Sequence, residues 1–326
     1  MLFVFRGACI AAGSLLFCCE GVAADGAPAE VTFVEWNLKN YLHTVTVPAN
    51  PPPRATKPKP AGEVATVTRI FTTLQPDIIG VCEMGGPEDL AALQQRLKEA
   101  GIDLPHRELV EAADNERHVG LLSRFPFAAR NSQAKVTYLL DDSKFPVQRG
   151  FLDVTLQITE SYTLRCVGVH LKSRLEVPEA SEALMRRNEA HLLRQRVDAI
   201  LSGAPDTNLL VFGDFNETRD QPALHAIPGV RGESNYLTAL TPVDARGEKW
   251  TYYYKEDDTY SRIDYLFASK GLSPELDPKQ CRIYSGADWL SASDHRAVTA
   301  VINPVDRAKR ARKPSKKATE EEPESE

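Results

Sequence analysis

Short, nearly unbroken hydrophobic runs recur along the chain, and they predict β-strands. The clearest run covers residues 209–212, and its lack of any polar residue is typical of a strand buried on both faces. Gly213 follows this run and permits a sharp turn of the backbone. Similar runs predict further strands at residues 31–37, 78–83, 119–123, 151–158, 164–171, 250–254, 262–268, 281–284 and 297–302.

Helical periodicity is confined to three segments. Apolar residues recur at helical spacing in residues 63–75, before Pro76, and in residues 87–100, before Gly101. The longest such pattern covers residues 178–202. Because the strands come in runs and do not alternate strictly with helices, the pattern predicts packed sheets flanked by helices rather than a doubly wound parallel sheet.

The first 24 residues have the layout of a secretory signal peptide. Arg6 precedes an apolar run at residues 7–19, and small residues allow cleavage after Ala24. The run is shorter than the roughly 20 residues of a membrane-spanning helix. A lipoprotein signal at Cys18 or Cys19 lacks the small residue expected before the modified cysteine. We therefore expect a secreted or periplasmic protein with no integral membrane segment after signal cleavage.

The rest of the chain is predicted to be one domain with a loop insertion and a charged tail. The domain covers residues 25–304. Prolines are dense in residues 45–62, and because proline ends strands and helices, this insertion is predicted to be a surface loop. Residues 305–326 are charged and nearly free of apolar side chains, which predicts a disordered tail.

Composition supports a folded domain and limits its partners. A hydrophobic content of 42% in 326 residues is sufficient for a sizeable core. The net charge of -6 argues against a broad polycationic surface for duplex DNA, although a bound divalent metal would supply positive charge for phosphate chemistry. Cys82, Cys166 and Cys281 are odd in number and widely spaced, which favours buried thiols over disulfides or a zinc site.

Several predicted strands end in a side chain that can bind metal or phosphate. Asp214 and Asn216 follow the central run two residues apart, so an extended backbone would point both the same way. An Asx-type turn explains the same two residues without any chemistry. Asp264 lies among apolar residues and needs a partner if buried, and an ion pair with Arg262 is one alternative. The other candidates at strand ends are Asn37, Glu83, His170, Asp294 and His295.

Seven short segments, in order, carry a family resemblance: Glu35-Trp36-Asn37-Leu38, Val81-Cys82-Glu83, Gly120-Leu121-Leu122-Ser123-Arg124-Phe125-Pro126, Val167-Gly168-Val169-His170-Leu171, Gly213-Asp214-Phe215-Asn216, Arg262-Ile263-Asp264-Tyr265 and Ser293-Asp294-His295. Together they resemble the endonuclease/exonuclease/phosphatase superfamily, the deoxyribonuclease-like metal-dependent phosphoesterases. The resemblance implies an α/β four-layer sandwich, in which two packed, mostly antiparallel β-sheets are flanked by helices. It also implies an active site at one end of the sheets.

The resemblance implies a metal site in this chain. Glu83 would be the principal ligand, with Asn37 beside it and Asp294 completing the acidic set. Such oxygen ligands suit Mg²⁺, a hard ion that keeps waters for substrate oxygens to replace. Mn²⁺ and Ca²⁺ are alternatives.

The resemblance also implies catalytic roles. Asp214 would orient or deprotonate the attacking water, and Asn216 would donate to a phosphate oxygen. His295, oriented by Asp264, would hold the charge that develops at phosphorus or act as base. His170 would lie near the leaving-group oxygen.

A further phosphate contact is expected between the Glu83 strand and the His170 strand. Tyr138 and Arg149 are the candidates, although neither lies in an aligned motif. For Arg149, an ion pair with Asp153 is an equally good explanation.

The sequence therefore predicts an exported Mg²⁺-dependent phosphoesterase that hydrolyses phosphodiester bonds, in the first instance a nuclease. The alternative is a phosphatase or a sphingomyelinase-like phosphodiesterase acting on a small or lipid phosphate, which the net acidity and the lack of clustered basic residues favour. A catalytically inactive binding protein of the same fold is a second alternative, but no catalytic position is missing. The expected partner is a phosphate-ester substrate, nucleic acid included. A monomer without a stable protein partner is expected.

Overall fold

Two six-stranded β-sheets lie at the centre of the protein, whose computed structural model describes residues 28–42 and 57–307. Two further strand pairs form small hairpins. The strands are β1 Val31–Tyr41, β2 Ile78–Met84, β3 His106–Val110, β4 His118–Ser123, β5 Phe127–Arg130, β6 Thr137–Leu140, β7 Ser143–Pro146, β8 Leu152–Thr159, β9 Tyr162–His170, β10 Leu209–Asp214, β11 Thr238–Ala239, β12 Tyr252–Tyr254, β13 Thr259–Ser261, β14 Asp264–Ala268, β15 Arg282–Ile283 and β16 Val298–Ile302.

The first sheet has the strand order β15-β16-β1-β2-β4-β3, and the second has the order β11-β14-β10-β9-β8-β5. Each sheet contains one parallel pair, β1 with β2 and β9 with β10, and its other neighbours are antiparallel. The carboxyl ends of a parallel pair meet at one edge of their sheet, and β14, antiparallel to β10, begins at that edge.

Helices cover the outer face of each sheet. Apolar residues of the first two helices pack on β1, β2 and β4, and those of the other two pack on β9, β10 and β14. The predicted four-layer sandwich of two mostly antiparallel sheets flanked by helices is therefore confirmed. The helices are α1 Ala61–Leu74, α2 Pro87–Glu99, α3 Glu182–Gly203 and α4 Pro222–Ala226, and short 3-10 turns occur at Ser273–Glu275, Pro278–Gln280 and Trp289–Ser291.

The central run at residues 209–212 is apolar throughout because β10 has an apolar cluster on each side. Phe212 points into the core between the sheets, whereas Val211 points into the cluster beneath α3. The Phe212 ring lies against Gly80 of β2 and Gly168 of β9, where the Cβ of any other residue would overlap it. These two glycines let one aromatic ring fill the space between the sheets.

The structure corrects several predicted boundaries. β1 was expected to end at Asn37 but reaches Tyr41. A bulge with left-handed backbone at Lys39 and Asn40 interrupts its pairing with β2 after Asn37, and the pairing resumes at Tyr41. The strands predicted at residues 250–254 and 281–284 are shorter, and α1 begins inside the predicted loop at residues 45–62. The strands that the pattern missed are β3, β5, β6, β7, β11 and β13.

Three predicted segments lie wholly or largely outside the described residues. The signal peptide at residues 1–24 is outside, as are residues 45–56 of the loop and residues 308–326 of the tail. Within the described part, Cys82, Cys166 and Cys281 are buried and free, as predicted. Across residues 28–42 and 57–307, no helix has the length and apolar character needed to cross a bilayer.

Candidate active site

The polar ends of the central strands meet at one edge of the two sheets. Asp214, the last residue of β10, has His170 of β9 as its neighbour on one side and Asp264 of β14 on the other. From the facing sheet, Nδ2 of Asn37 donates a hydrogen bond to Oδ2 of Asp214 at 2.9 Å. Residues far apart in the chain therefore share one site because strand register and sheet packing bring them together.

Asp264 and His295 form a buried ion pair. Nδ1 of His295 lies 2.9 Å from Oδ2 of Asp264, and Nε2 lies 3.9 Å from Oδ2 of Asp214. The backbone N–H of Asp264 donates to the Thr251 hydroxyl, which holds the backbone in place at this residue. Burial by itself would lower the pKa of His295, but the charge and hydrogen bond of Asp264, together with the charges of Asp214 and Asp294, outweigh it and raise that pKa well above its usual range. The alternative pairing of Asp264 with Arg262 does not form, because the Arg262 guanidinium donates to a backbone carbonyl.

Asp214 is oriented by the turn that follows β10. Its Oδ1 accepts a hydrogen bond from the N–H of Asn216 at 2.7 Å, and Asn216 adopts a left-handed φ of 52° that asparagine tolerates. Gly213 has a φ of 136° and lies so close to the carbonyl of Val169 that no side chain would fit. Burial, and then the Asp264 carboxylate, raise the pKa of Asp214, which makes it a stronger proton acceptor.

His170 differs from His295 in its charge. Burial, and then the guanidinium of Arg149, lower the pKa of His170 well below its usual range. Its Nε2 lies 3.6 Å from Oδ2 of Asp214, and its Nδ1 has no hydrogen-bond partner among the described residues. The surroundings therefore favour the charged form of His295 and the neutral form of His170, and both imidazoles lie within 4 Å of the same carboxylate oxygen.

Glu83 and Asp294, which are far apart in the sequence, line the same cavity. Oε2 of Glu83 accepts a hydrogen bond from the N–H of Asn40 at 2.9 Å, and Oε1 lies 3.5 Å from Nδ2 of Asn37. Glu83 has a left-handed φ of 55°, a strained conformation for this residue type that is concentrated at functional sites. The carboxylate of Asp294 lies 3.5 Å from the ammonium of Lys39.

These side chains surround a cavity of about 780 Å³, which falls in the size range of ligand sites. Asn37 and Asp264 do not line it but lie behind Asp214 and His295, to which they are hydrogen-bonded. The predicted site residues that line the cavity are Glu83, Arg149, His170, Asp214, Asn216, Asp294 and His295.

The two candidates for a phosphate contact lie in different places. Arg149 lines the cavity, and its Nε lies 3.1 Å from the carboxylate of Asp114, without hydrogen-bond geometry. Its alternative pairing with Asp153 is wrong, because that carboxylate binds two other arginines. Tyr138 does not line the cavity, since its side chain is buried in the apolar cluster beneath α3.

Sequence reasoning missed a group of basic residues. Clustered basic residues were not expected, yet four basic and four acidic side chains line the cavity in the described structure. The basic residues come from four separate segments, so no local signal in the sequence could have grouped them. Tyr252 and Tyr254 also line the cavity, and the run of three tyrosines was their only signal. The basic residues are Lys39, Arg117, Arg149 and Arg174, and the acidic ones are Glu83, Asp214, Asp257 and Asp294.

Glu35 is a buried carboxyl group below the site that was not predicted to matter. It is fully buried two residues before Asn37 on β1, and neither of its oxygens has a hydrogen-bond partner among the described residues. Burial, and then the Asp264 carboxylate, raise the pKa of Glu35 well above its usual range. We therefore expect Glu35 to be neutral and to add no further negative charge beneath Asp214 and Asp264.

Comparison with protein families identifies the fold and its chemistry. The profile of the Endonuclease/Exonuclease/phosphatase family matches residues 34–295, most of the chain. The chain belongs to this family. Its members are metal-dependent hydrolases of phosphate esters, so we identify the chain as an enzyme of the endonuclease/exonuclease/phosphatase family.

Solved structures of the endonuclease/exonuclease/phosphatase fold resemble the chain at low sequence identity. The human Nocturnin catalytic domain with bound sulfate anion is 18% identical, with a TM-score of 0.59 over 84% of this chain and 94% of that one. D. rerio TDP2 complexed with single strand DNA product is 14% identical, with a TM-score of 0.57 over 85% and 100%. Sphingomyelinase C from Streptomyces griseocarneus is 14% identical, with a TM-score of 0.54 over 84% and 99%. Comparison with curated protein sequences gives no match.

The donor set of the cavity suits the divalent metal that the family uses. Oε1 of Glu83 has only a long contact with Asn37, so it keeps lone pairs for a cation, and the carboxylate of Asp294 lines the same space. Oxygen donors of this kind select a hard ion. Asp214, Asp264 and His295 also bring potential ligand atoms within 4.8 Å of one another, but Nδ1 of His295 is already bound to Asp264.

Proposed function

We propose that the chain is an exported, Mg²⁺-dependent phosphodiesterase that cleaves nucleic acid. The observation that carries the proposal is the arrangement at Asp214. One oxygen of this buried carboxylate has the charged Asp264–His295 pair on one side and the neutral His170 on the other, and the cavity before it also contains Glu83. In-line displacement at phosphorus needs a group that accepts the proton of the attacking water, a donor that stabilises the negative charge on the phosphoryl oxygens, and a group near the leaving oxygen.

Each side chain has a proposed role that follows from its contacts. Asp214 is held by hydrogen bonds on both oxygens, so its remaining lone pairs point at the cavity, where it accepts a proton from the attacking water. The imidazolium of His295 donates from Nε2 to a phosphoryl oxygen as negative charge grows there, while Asp264 keeps the ring charged and oriented. The neutral His170 lies near the leaving oxygen, and Asn216 donates to a phosphate oxygen.

The same proposal includes the metal and a phosphate contact. Glu83 and Asp294, which line the cavity, would hold Mg²⁺, and Asn37, which lies behind the lining, would join them through its Oδ1. The ion would withdraw negative charge from phosphoryl oxygens. Arg149 lines the cavity beside His170 and would contact a non-bridging phosphate oxygen. We infer Mg²⁺ because all the ligands offered are oxygens, and Mn²⁺ or Ca²⁺ are the ions to compare.

Charge around the cavity supports a polyanionic substrate. The four basic side chains balance the four acidic ones, so a bound divalent cation would make the cavity net positive. D. rerio TDP2, which shares the fold, is complexed with a single strand DNA product. A phosphomonoester or lipid substrate, the alternative that Sphingomyelinase C represents, presents a single phosphate, whereas four basic residues can contact several phosphates of one strand.

The proposals on location and assembly rest on sequence alone. Residues 1–24 have the layout of an export signal, residues 25–304 form the domain, and we propose a secreted or periplasmic monomer. Cleavage after Ala24, measured by mass spectrometry of the exported protein, tests this part.

A substrate panel tests the proposed reaction. We expect purified protein to hydrolyse single-stranded DNA or RNA and bis-nitrophenyl phosphate with Mg²⁺, and to lose activity when the metal is chelated. Asp214→Asn and His295→Ala should each lower the rate roughly 100- to 10,000-fold, the usual contribution of a proton-transfer group. The exposed Asp220→Asn is the matched control and should keep full activity. Preference for nitrophenyl phosphate or sphingomyelin, or wild-type rates in Asp214→Asn, would refute the proposal.

A further inference from the structure

The hairpin of β12 and β13 carries an aromatic cluster on one of its faces. Tyr253 stacks on Tyr260 of the partner strand, with ring centroids 4.7 Å apart and planes 25° apart. Trp250 lies 4.7 Å from Tyr260 and 5.3 Å from Trp289. These contacts hold the hairpin against the body of the protein through its back face.

Strand alternation turns the other two tyrosines of β12 to the front face, into the active-site cavity. The ring of Tyr252 lies 4.6 Å from the ring of His295, and the N–H of Tyr253 donates to the carbonyl of Asp294 at 3.0 Å. The hairpin is therefore fixed relative to the catalytic imidazole. The ring of Tyr254 lies 6.4 Å from that of Tyr252, at 28°, and Tyr254 is 40% exposed.

The front face thus presents a row of aromatic rings that leads outward from the catalytic centre. Tyr252 is occupied by its contact with His295, and Tyr254 is the ring that stays open to a ligand. An exposed aromatic face in a cavity with four basic residues suits a ligand that combines flat rings with phosphates. Single-stranded nucleic acid has both, and its bases are free to stack on a side chain.

A quaternary ammonium headgroup is the other ligand that aromatic rings attract. Asp257 lines the cavity near this hairpin and would favour such a cation. Lys39, Arg117 and Arg174 line the same cavity and would oppose it. The four basic and four acidic side chains balance, so a bound divalent cation would make the cavity net positive, which favours a nucleobase with its phosphate over a quaternary ammonium.

We propose that Tyr254, backed by Tyr252, is a stacking subsite for the nucleobase next to the scissile phosphodiester, and that the substrate is single-stranded nucleic acid. The inference rests on the proposed function, because the subsite acts only if a phosphodiester is cleaved beside Asp214. It assigns a specificity role to a residue that takes no part in proton transfer.

Steady-state kinetics on matched oligomers test the subsite. Oligothymidylate and oligouridylate are each compared with an abasic oligomer of the same length, which has the phosphates without the bases. Tyr254→Ala should raise KM for the base-containing oligomer roughly 5- to 150-fold, the range of single-base stacking energies, with kcat little changed. The abasic oligomer should show no such rise, and Tyr254→Phe should behave as wild type because it keeps the ring.

Tyr260→Ala is the control for hairpin integrity, since it removes a ring that packs on Tyr253 and Trp250 at the back face of the same hairpin. A KM rise in Tyr254→Ala that is equally large for the abasic and the base-containing oligomers, as expected for Tyr260→Ala, would mean that hairpin integrity rather than stacking is being measured, and would overturn the proposal. A spectroscopic readout is independent of turnover. With Asp214→Asn to prevent cleavage, an oligonucleotide containing 2-aminopurine should lose fluorescence on binding, and adding Tyr254→Ala should restore it.

The outcomes separate the subsite from the reaction. Wild type could cleave the oligomers while Tyr254→Ala keeps the wild-type KM for both the base-containing and the abasic oligomer. That result would refute the subsite and leave the proposed reaction standing. If wild type cleaves sphingomyelin vesicles in a manner that depends on Tyr254, and cleaves no oligomer, the rings bind a quaternary ammonium and the proposal is overturned. If wild type cleaves no phosphodiester at all, the proposed function itself is wrong.

Discussion

Glu189 of α3 is a fully buried carboxyl group outside the proposed catalytic set. Its Oε2 accepts a hydrogen bond from the N–H of Lys172 at 2.6 Å, and Arg149 is the positive charge that lowers its pKa most. Burial nevertheless raises the pKa of Glu189 to about 7. In the unfolded chain the pKa is about 4.3. The folded state therefore binds this proton more tightly, and its stabilising effect is present at low pH and is lost as the pH rises through 7.

We expect Glu189→Gln to remove this pH dependence. The amide oxygen still accepts from Lys172, but the variant has no proton to release. Between about pH 5 and pH 8 the free energy of unfolding of wild type should fall, and that of the variant should fall by up to about 3 kcal/mol less. Urea titrations at several pH values measure the difference. Glu176→Gln, an exposed position before α3, is the control. Parallel pH profiles for wild type and Glu189→Gln would show that Glu189 does not carry the buried proton.

At this scale, the sequence identified residues whose chemistry is marked by a local pattern. Asp214 and His170 follow apolar runs directly, so both the strand and its polar end can be read from the chain. Arg149 had no such mark, and Tyr138, equally plausible in sequence, proved to be a core residue. Nothing in the sequence pointed to Glu35. Its carboxyl group is buried without a hydrogen-bond partner among the described residues, near the carboxylates of Asp214 and Asp264 on other strands, and no local pattern reveals that arrangement.

Among the elements, the proline-rich loop has its ends beside the cavity. The N–H of Lys59 donates to the carbonyl of Leu42 at 2.8 Å, and its ammonium contacts the carbonyl of Lys39, which lines the cavity. This backbone hydrogen bond brings Leu42 and Lys59 close enough for a two-residue turn to connect them. We expect that replacing residues 43–58 with Asn-Gly, a favoured two-residue turn, preserves the fold. Relative rates across DNA, RNA and small diesters should change, while the thermal midpoint should hardly move.

A second loop variant separates reach from composition. Replacing residues 43–56 with glycine and serine of equal length keeps the span but loses the stiffness of proline. Altered substrate preference in the short-turn variant alone would mean that the presence of the loop matters, and altered preference in both would mean that its rigidity matters. A large fall in thermal midpoint with unchanged preference would show that the segment is only a structural spacer.

The elements that the sequence predicted best are those buried on both faces. The central residues of β2, β4 and β10 are apolar and buried, and helical spacing was strong in α1 and α2. β5, β6, β7 and β13 are short and partly exposed, so their alternation is too weak to distinguish them from loops. The β12–β13 hairpin and its two faces were not predicted for this reason, although the run of three tyrosines is evident in the sequence.

At the scale of the whole molecule, the active site exists because two sheets pack with their polar edges together. Asn37 of the first sheet reaches Asp214 of the second across this gap, at 2.9 Å. The strand-end motifs indicated which residues converge, but no local pattern specifies how closely the sheets approach. That distance depends on the inter-sheet core, where Phe212 fills the space left by Gly80 and Gly168.

The fit of Phe212 into this space yields a prediction about the sheet spacing. In Gly80→Ala the new methyl group would overlap the Phe212 ring, so β2 and β10 must separate or the ring must leave its position. We expect a loss of about 1–3 kcal/mol in the free energy of unfolding. Activity should fall by more than stability explains, because Asp214 and Asn37 lie on the two sheets that move apart.

A double-mutant cycle shows whether the ring is responsible. Phe212→Leu removes the ring atoms that face Gly80, so Gly80→Ala should cost less in that background, with a coupling energy of about 0.5–3 kcal/mol. Gly62→Ala, which adds the same methyl group to α1 where nothing lies within 4 Å, should be neutral or stabilising. If Gly80→Ala costs equally in both backgrounds, Phe212 does not set the spacing. The approach of the two polar sheet edges would then depend on other contacts between the sheets.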